Sequence, residues 1–364
     1  MRFLHTADWQ IGMRAAGVGA AGARVREERF AAGQRVVAAA RAAEAEFILV
    51  AGDTFEDNGV DRTQVQRVID ILAAFDGPVY VIPGNHDPLC PGSVWEHPAW
   101  GRAAQVHVLR EEAPVPLPGG TLYPCIAREK RAQRDPTLWI PATGGEGIRI
   151  GLAHGSVEGI ATDDPYYPIP RQAATRCALD YLAIGHWHSW LPLPAPGGAV
   201  RMAYAGAHEP TKFGERDSGN ALLVTIDAPG TEPQIAPVRT GGLTWCALEE
   251  SIRDFAGLER LRERIDALPD PAHTLVSLRM SGILPVDGQP VLEEIVQLLP
   301  ARFLHGTCEI ERLLPAPEDS AWMDTLPPGV LQESARRLQA GAAQDPIAAH
   351  ALLELYALAS ERTA

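Results

Sequence analysis

Short apolar runs that end abruptly in polar clusters alternate with helix-spaced segments along the first two-thirds of the chain. MRFLH (1–5) and FILVA (47–51) read as buried strands, and Phe30, Val36, Val37 and Ala40 between them fall on one helix face. Val65, Val68, Ile69 and Leu72 predict a second helix over 61–74, and PVYVI (78–82) a strand that stops at PGNHD. Strand, helix, strand in this rhythm predicts a layered sheet with crossover helices. The later runs IRIGLAHGS (148–156), LDYLAIGHWH (179–188), RMAYAGAHE (201–209) and NALLVTID (220–227) lack long helices between them, which predicts a more antiparallel second sheet. Pro and Gly clusters at 112–120, 141–147 and 192–199 read as surface loops.

The pattern changes near residue 240. From Leu243 it runs strand (TWCALEE), helix (251–267), strand (TLVSLRM), helix (291–299) and strand (TCEIERLL), a two-layer unit with its own small core. After a Pro-bearing stretch at 315–328 come two helical segments, VLQESARRLQ and PIAAHALLELYAL, the second with an apolar stripe of Ile347, Leu352, Leu353, Leu355 and Leu358. Such a stripe either docks on its own domain or binds a partner.

Composition narrows the class. The 46 acidic and 32 basic residues leave a net charge of -14, so a nucleic-acid partner would have to be held locally and not by overall attraction. Cys90, Cys125, Cys177, Cys246 and Cys308 are scattered without a C-x-x-C pair, which favours free thiols in a reducing cytosol. MRFLHTAD carries no signal-peptide pattern and no apolar run reaches ~18 residues, so the expectation is a cytoplasmic protein without a membrane span.

Five polar clusters stand at the ends of predicted strands, where loops gather them at one sheet edge. They are ADWQ with Asp8 and Gln10, AGDTFED with Asp53, PGNHD with Asn85 and His86, AHGS with His154, and GHWH with His186 and His188. Each alone is commonplace. Together their carboxylates, carboxamide and imidazoles suit a pair of divalent first-row ions sharing a bridging carboxylate. In an extended segment His186 and His188 would face the site together while Trp187 faces the core. His5, His107, His273, His305 and His350 lack such company and read as structural, whereas His97 and His208 lie near motif loops, either structural or in reach of substrate.

The ordered set D-x-[H/Q], G-D, G-N-H-D, H-G and G-H-x-H resembles the calcineurin-type metallophosphoesterase superfamily. Within it, LHTADW, GNHD, YLAIGHWH and YAGAHEPTKFGE are similar to the SbcD/Mre11 branch of DNA-repair nucleases, including its bacterial YhaO-like exonucleases. The likeness is close over residues 1–240 and looser beyond, where the element order is similar to the branch's capping domain. It implies an α+β fold: a four-layer α/β/β/α metallophosphoesterase sandwich over 1–240, a small α/β capping domain over 241–315 and terminal helices over 316–364.

By position, one cation would be held by Asp8, Asp53 and His188, with Gln10 where the family usually has His. The other would be held by Asp53, Asn85, His154 and His186, Asp53 bridging the two. His86 matches the family's catalytic histidine, which contacts the scissile phosphate and assists the leaving oxygen. The resemblance thus implies phosphodiester hydrolysis on DNA, exonuclease or endonuclease, with two divalent cations, Mn²⁺ before Mg²⁺, activating a bridging hydroxide. The partners it implies are DNA, an SbcC/Rad50-like ATPase engaged by the C-terminal helices, and a second copy docked through the 61–74 helix and the region of Trp95 and Trp100. It places the protein at the nucleoid when on DNA. No substrate-binding residue is assigned.

Two departures bear on mechanism. If Gln10 ligates through its carboxamide oxygen, the first site favours the harder Mn²⁺ or Mg²⁺ and binds more weakly; if it points away, three protein ligands remain. Glu56 and Asp57 follow Asp53, and one of them either holds the His86 imidazole or merely faces solvent. Arg14, Arg24, Arg26, Arg29 and the run REKRAQR (128–134) either meet phosphates or pair with neighbouring Glu on helix faces. Two rival functions share these residues: a small-nucleotide phosphodiesterase or phosphatase, and a non-catalytic DNA-binding subunit of an ATPase complex, for which Gln10 alone speaks.

Overall fold

The computed structural model describes residues 1–160, 165–195, 197–317 and 320–361. The chain divides into two compact units, Met1–Thr244 and Trp245–Ala364. In the first, β1 (Arg2–Thr6), β2 (Phe47–Ala51), β3 (Val79–Ile82) and β4 (Val106–Val108) pair in parallel, joined in part by α1 (Gly22–Ala42) and α2 (Arg62–Ala73). FILVA is buried at every position, as a strand covered on both faces must be. Ile48 and Val50 meet Val36 and Val37 of α1 and Val68 and Leu72 of α2. The alternate residues Phe47, Leu49 and Ala51 point the other way, into a core shared with a second sheet. Helix α2 starts at Asp61, whose carboxylate accepts from Thr63 N at 2.6 Å.

The second sheet holds β5 (Val115–Leu117), β6 (Gly120–Pro124), β7 (Ile148–His154), β8 (Tyr181–Gly185), β9 (Leu191–Pro194) and β10 (Val200–Tyr204) in the order β5-β6-β7-β8-β10-β9. The expectation of a more antiparallel sheet is corrected here: β6, β7, β8 and β10 run parallel, and only the edges β5 and β9 are antiparallel. Irregular crossovers, one holding the four-residue α3 (Ala173–Arg176), replace the long helices whose absence suggested hairpins. NALLVTID leaves this sheet altogether: as β11 (Asn220–Thr225) it lies antiparallel to β1, with β12 (Gln234–Arg239) outside it. Ala173, Cys177 and Leu179 cover the outer face over Leu182, Ile184 and Met202, which completes four layers, α/β/β/α.

Three strands beyond those expected carry proline. β5, β9 and β12 carry Pro116, Pro192 and Pro194, and Pro237, and each is paired on one side only. An edge strand tolerates the missing N–H, so the clusters at 112–120 and 192–199 contain strands despite their prolines. Pro196, within the second of these clusters, lies outside the described residues.

In the second unit β13 (Thr244–Ile252), β14 (Thr274–Leu284) and β15 (His305–Pro315) form a three-stranded sheet. Strand β14 packs Val276, Leu278 and Met280 on Leu258 and Leu261 of α4 (Phe255–Asp266) and Ile295 and Leu299 of α5 (Gln289–Arg302). Two further helices, α6 (Val330–Ala342) and α7 (Pro346–Glu361), share a small cluster of Ala335, Leu352 and Leu355, while Ile347 and Leu358 of the same stripe stay exposed.

His5 in β1 supplies a pH test of this core. It is fully buried, its Nδ1 lies 3.0 Å from the Tyr181 hydroxyl, and burial lowers its pKa to about 3. The unfolded chain takes up a proton there near pH 6.5 and the folded chain does not, so stability falls as pH drops from about 6.5 towards 3. We expect His5→Phe to flatten that acid limb, removing about 2 kcal/mol of the wild type's loss between pH 7 and 5. Equal acid sensitivity of the two melting temperatures would assign the limb to other groups.

Candidate metal centre

The polar clusters meet where the carboxy ends of β1, β2 and β3 face those of β7 and β8. The chain turns sharply to deliver them: Asp8, Gln10 and Asp53 have φ of 53°, 48° and 48°, and His186 has φ of 112°. Asp tolerates the left-handed region better than most residues, and His186 is the most strained of the four. Backbone bonds zip the first two loops together, Asp8 N to Gly52 O at 3.2 Å and Gln10 N to Asp53 O at 3.0 Å.

Asp53 lies at the centre. Its Oδ1 accepts from His86 N at 2.8 Å; its Oδ2 lies 3.3 Å from both Gln10 Nε2 and His154 Nε2, and 4.0 Å from His86 Nε2. His154 Nδ1 lies 2.8 Å from Ala51 O, which turns Nε2 towards Asp53 and Asn85. Asn85 Oδ1 lies 2.8 Å from His154 Nε2 and 3.0 Å from His186 Nδ1. The Asp8 carboxylate accepts from His186 N through both oxygens, at 3.0 and 3.1 Å. Ligand atoms of Asp8, Asp53 and His154 all lie within 4.8 Å of one another. His188 reaches Glu215 Oε1 with Nδ1 at 2.8 Å. All eight residues expected at the site are therefore in one region, with Gln10 buried against Asp53 and His86 at the margin, its side chain 36% exposed.

Closure this tight needs glycine. A Cβ on Gly84 would lie 2.1 Å from Asp53 Oδ1 and 2.3 Å from Asp53 N, so the GNHD loop can press on Asp53 only because Gly84 has none. Asp87 of the same motif is fully buried and accepts from Gly84 N at 2.7 Å and Phe55 N at 2.9 Å, tying this loop to the one after β2.

Several expectations change. The His86 imidazole is held by neither carboxylate: its Nδ1 lies 3.1 Å from the backbone oxygen of Glu56. GHWH is not an extended strand, because β8 ends at Gly185 and the positive φ of His186 turns the chain into the site. Arg29 cannot meet phosphate. It is fully buried in α1 and donates to the carbonyls of Asp8 (3.3 Å), Trp9 (2.7 Å), Glu209 (3.1 Å) and Pro210 (3.2 Å), stapling the first ligand loop to the loop after β10. His208 is likewise buried, stacked on Trp9 with centroids 4.7 Å apart and Nε2 2.8 Å from Arg29 O. His97 accepts from Ala99 N at 3.2 Å as a local cap.

Sequence reasoning missed Asp87, Arg29, Thr211 and Glu215 as supports of the site. Asp87, Thr211 and Glu215 stand inside GNHD and YAGAHEPTKFGE, so the motifs contained them; nothing in an Arg on a helix could have marked Arg29.

The electrostatics fit a cation. Burial opposes charge on Asp53, but His154 and His86 beside it outweigh burial and hold the carboxyl well below its usual range. Burial likewise opposes charge on His154, and Asp53 and Asp8 overcome it and raise the imidazole. Asp8 is pushed up by burial, against the pull of His154 and His188. Among the described residues neither carboxylate is hydrogen-bonded to Lys or Arg. Two buried carboxylates with imidazole nitrogens and a carboxamide oxygen around them form a donor set suited to divalent ions.

A family model described as calcineurin-like phosphoesterase matches residues 1–190, and the chain belongs to that family. Its chemistry is metal-dependent phosphoester hydrolysis, and the buried Asp8, Asp53 and His154 are where this chain would hold the metal. Among curated proteins the chain is similar to the uncharacterized metallophosphoesterase YhaO of Bacillus subtilis (strain 168), at 27% identity over 214 residues. That match covers 55% of this chain and 52% of YhaO, so the similarity spans about half the length of each protein. Among solved structures it is similar to TT1561 of Thermus thermophilus, at 12% identity and a TM-score of 0.42, covering 65% of this chain and 99% of that one. A Vps29 single mutant from Entamoeba histolytica matches at 15% identity and a TM-score of 0.31, covering 65% and 98%. Among the described residues no helix is long and apolar enough to cross a membrane.

The raised Asp8 pKa makes a stability prediction. Its charge costs folding free energy above the folded pKa and nothing below the ordinary value of 3.8. In chelator-treated protein, Asp8→Asn should melt higher than wild type at pH 7 and equally near pH 4. The same substitution should remove one ion's share of the stabilisation expected from Mn²⁺, about 2.7 kcal/mol at 100 times that ion's Kd. A variant that melts lower at pH 7 yet keeps the Mn²⁺ increment would contradict the account.

Proposed function

We propose that the chain is a DNA phosphodiesterase of the SbcD/Mre11 kind that uses Mn²⁺ before Mg²⁺. The observation that carries the chemistry is the buried Asp8, Asp53 and His154 cluster with the partly exposed His86 at its margin. Asp8, Asp53 and His188, with Gln10 beside them, are the residues for one ion, and Asp53, Asn85, His154 and His186 for the other. Bound there, two divalent ions supply an activated water and neutralise phosphate charge.

His86 acts on substrate. Its Nδ1 donates to Glu56 O, so Nε2 is the nitrogen left to meet a phosphate or hand a proton to the leaving oxygen. Asp53 Oδ2 lies 4.0 Å from that Nε2, and a general acid at this position contributes roughly 10² to 10⁴ in rate. Gln10 keeps the charge of the site unchanged. Rotating its amide by 180° would exchange Nε2 for Oε1 beside Asp53, and a hard oxygen donor suits Mn²⁺ or Mg²⁺.

DNA as substrate is supported by LHTADW, GNHD, YLAIGHWH and YAGAHEPTKFGE, and by the position of the basic run at 128–134. Leu89 N donates to Ala127 O at 2.8 Å, so the run begins beside the loop that carries His86. Arg134 pairs with Glu112 and Arg128 donates to Arg110 O, while Lys130 and Arg131 are exposed beside them. On the same reading the exposed Val330, Ile347 and Leu358 of α6 and α7 are the face for an SbcC/Rad50-like ATPase, and the outer side of α2 with the segment around the buried Trp95 and Trp100 serves a second copy.

The test is degradation of end-labelled duplex and single-stranded DNA with Mn²⁺. We expect loss of about 10² or more in His86→Ala and an unchanged or raised rate in Gln10→His. Cleavage of bis(p-nitrophenyl) phosphate without any action on DNA would hand the site to small nucleotides. A wild type inert on both, revived by Gln10→His, would make the protein a binding subunit.

A further inference from the structure

We propose that Glu215, seated by Thr211, is a positioning residue that fixes His188 in the tautomer whose Nε2 lone pair binds metal; this rests on the reading of His188 as a ligand. The Glu215 side chain is 5% exposed, in the loop between β10 and β11. Three donors converge on it. Thr211 N donates to Oε2 at 2.9 Å, and the Thr211 hydroxyl donates to Oε1. His188 Nδ1 lies 2.8 Å from the same Oε1 and 3.1 Å from Thr211 Oγ1.

With Glu215 ionised, these contacts fit one assignment of protons. A backbone N–H can only donate, so Oε2 is an acceptor, and Oε1 already accepts from the hydroxyl. A carboxylate with both oxygens accepting has no proton to give His188, so the hydrogen between them belongs to Nδ1. A neutral imidazole carries one N–H, hence Nε2 keeps its lone pair. An outer carboxylate also makes a histidine more basic and commonly affects metal affinity by about 10- to 100-fold.

The seat for Glu215 is fixed from behind. Arg29 holds the carbonyls of Glu209 and Pro210, and the buried Glu209 carboxylate accepts from Gly242 N at 2.6 Å and Leu243 N at 3.0 Å. His188 O itself accepts from Ala207 N at 2.9 Å. The imidazole is therefore oriented by the fold before any ion arrives.

Mn²⁺ titration of chelator-treated protein, read by the electron paramagnetic resonance of the free ion, tests this without reference to catalysis. We expect Glu215→Ala to raise the Kd of one ion about 10- to 100-fold and leave the other within about threefold. Glu215→Gln, which keeps an acceptor oxygen but loses the charge, should fall between, and Thr211→Val should shift the same ion by less. His188→Gln is run alongside. If His188→Gln weakens one ion while Glu215→Gln and Thr211→Val bind both as wild type does, the positioning role is overturned and the ligand stands. If His188→Gln also binds both ions normally, or the wild type binds none, the ligand reading itself fails. Should Glu215→Ala not fold, Glu215→Gln and Thr211→Val carry the comparison.

Discussion

The carboxylate of Asp53 is the constraint around which this site is arranged. It is buried, follows a strand covered on both faces, and sits in a left-handed backbone turn that presents both oxygens to three other loops. His86 N takes one oxygen; Gln10 and His154 share the other. A buried charge without such partners would cost several kcal/mol, so each neighbouring loop is obliged to close on it. The missing side chain of Gly84, the carboxylate of Asp87 beneath the GNHD loop and the zipped backbone of residues 8–11 and 52–54 are all consequences of that closure.

Asp8 marks what the fold leaves unsatisfied. His154 and His86 offset Asp53, but burial still pushes Asp8 up, and its hydrogen-bond donor is the His186 backbone. A fold selected for stability alone would gain by making residue 8 neutral. The turn that brings His186 N to Asp8 also imposes the φ of 112°, so the strain and the unsettled charge share one contact. Both are expected where a protein prepares a site for a cation at the expense of its own stability.

What could be read in advance follows from where the physics leaves a local mark. Buried central strands such as FILVA and PVYVI declare themselves by unbroken apolar runs, and the five polar clusters by ending those runs. Edge strands β5, β9 and β12 carry proline because nothing needs their outward N–H, and proline is the residue that signals loop. The parallel order of the second sheet was hidden for a similar reason, since its crossovers use loops and one short helix where a long amphipathic pattern would have announced them. The residue types gathered at the site were legible as a set, whereas the side chains that aim them were not. Arg29 looks like any surface arginine on a helix until its four carbonyl partners, two of them some 180 positions away, are brought to it.

Gln10 takes its meaning from the same closure. The position is buried, lies on a left-handed turn, and meets the Asp53 carboxylate through its side-chain amide. A second carboxylate there would add to the repulsion already felt by Asp8, and a cation would compete with metal for Asp53. A neutral side chain with one donor and one acceptor satisfies the buried carboxylate and leaves the negative field of the site intact. His and Gln both meet that requirement and differ in the hardness of the donor they offer, so either can stand at this position without disturbing the architecture that gathers Asp8, Asp53, Asn85 and the histidines.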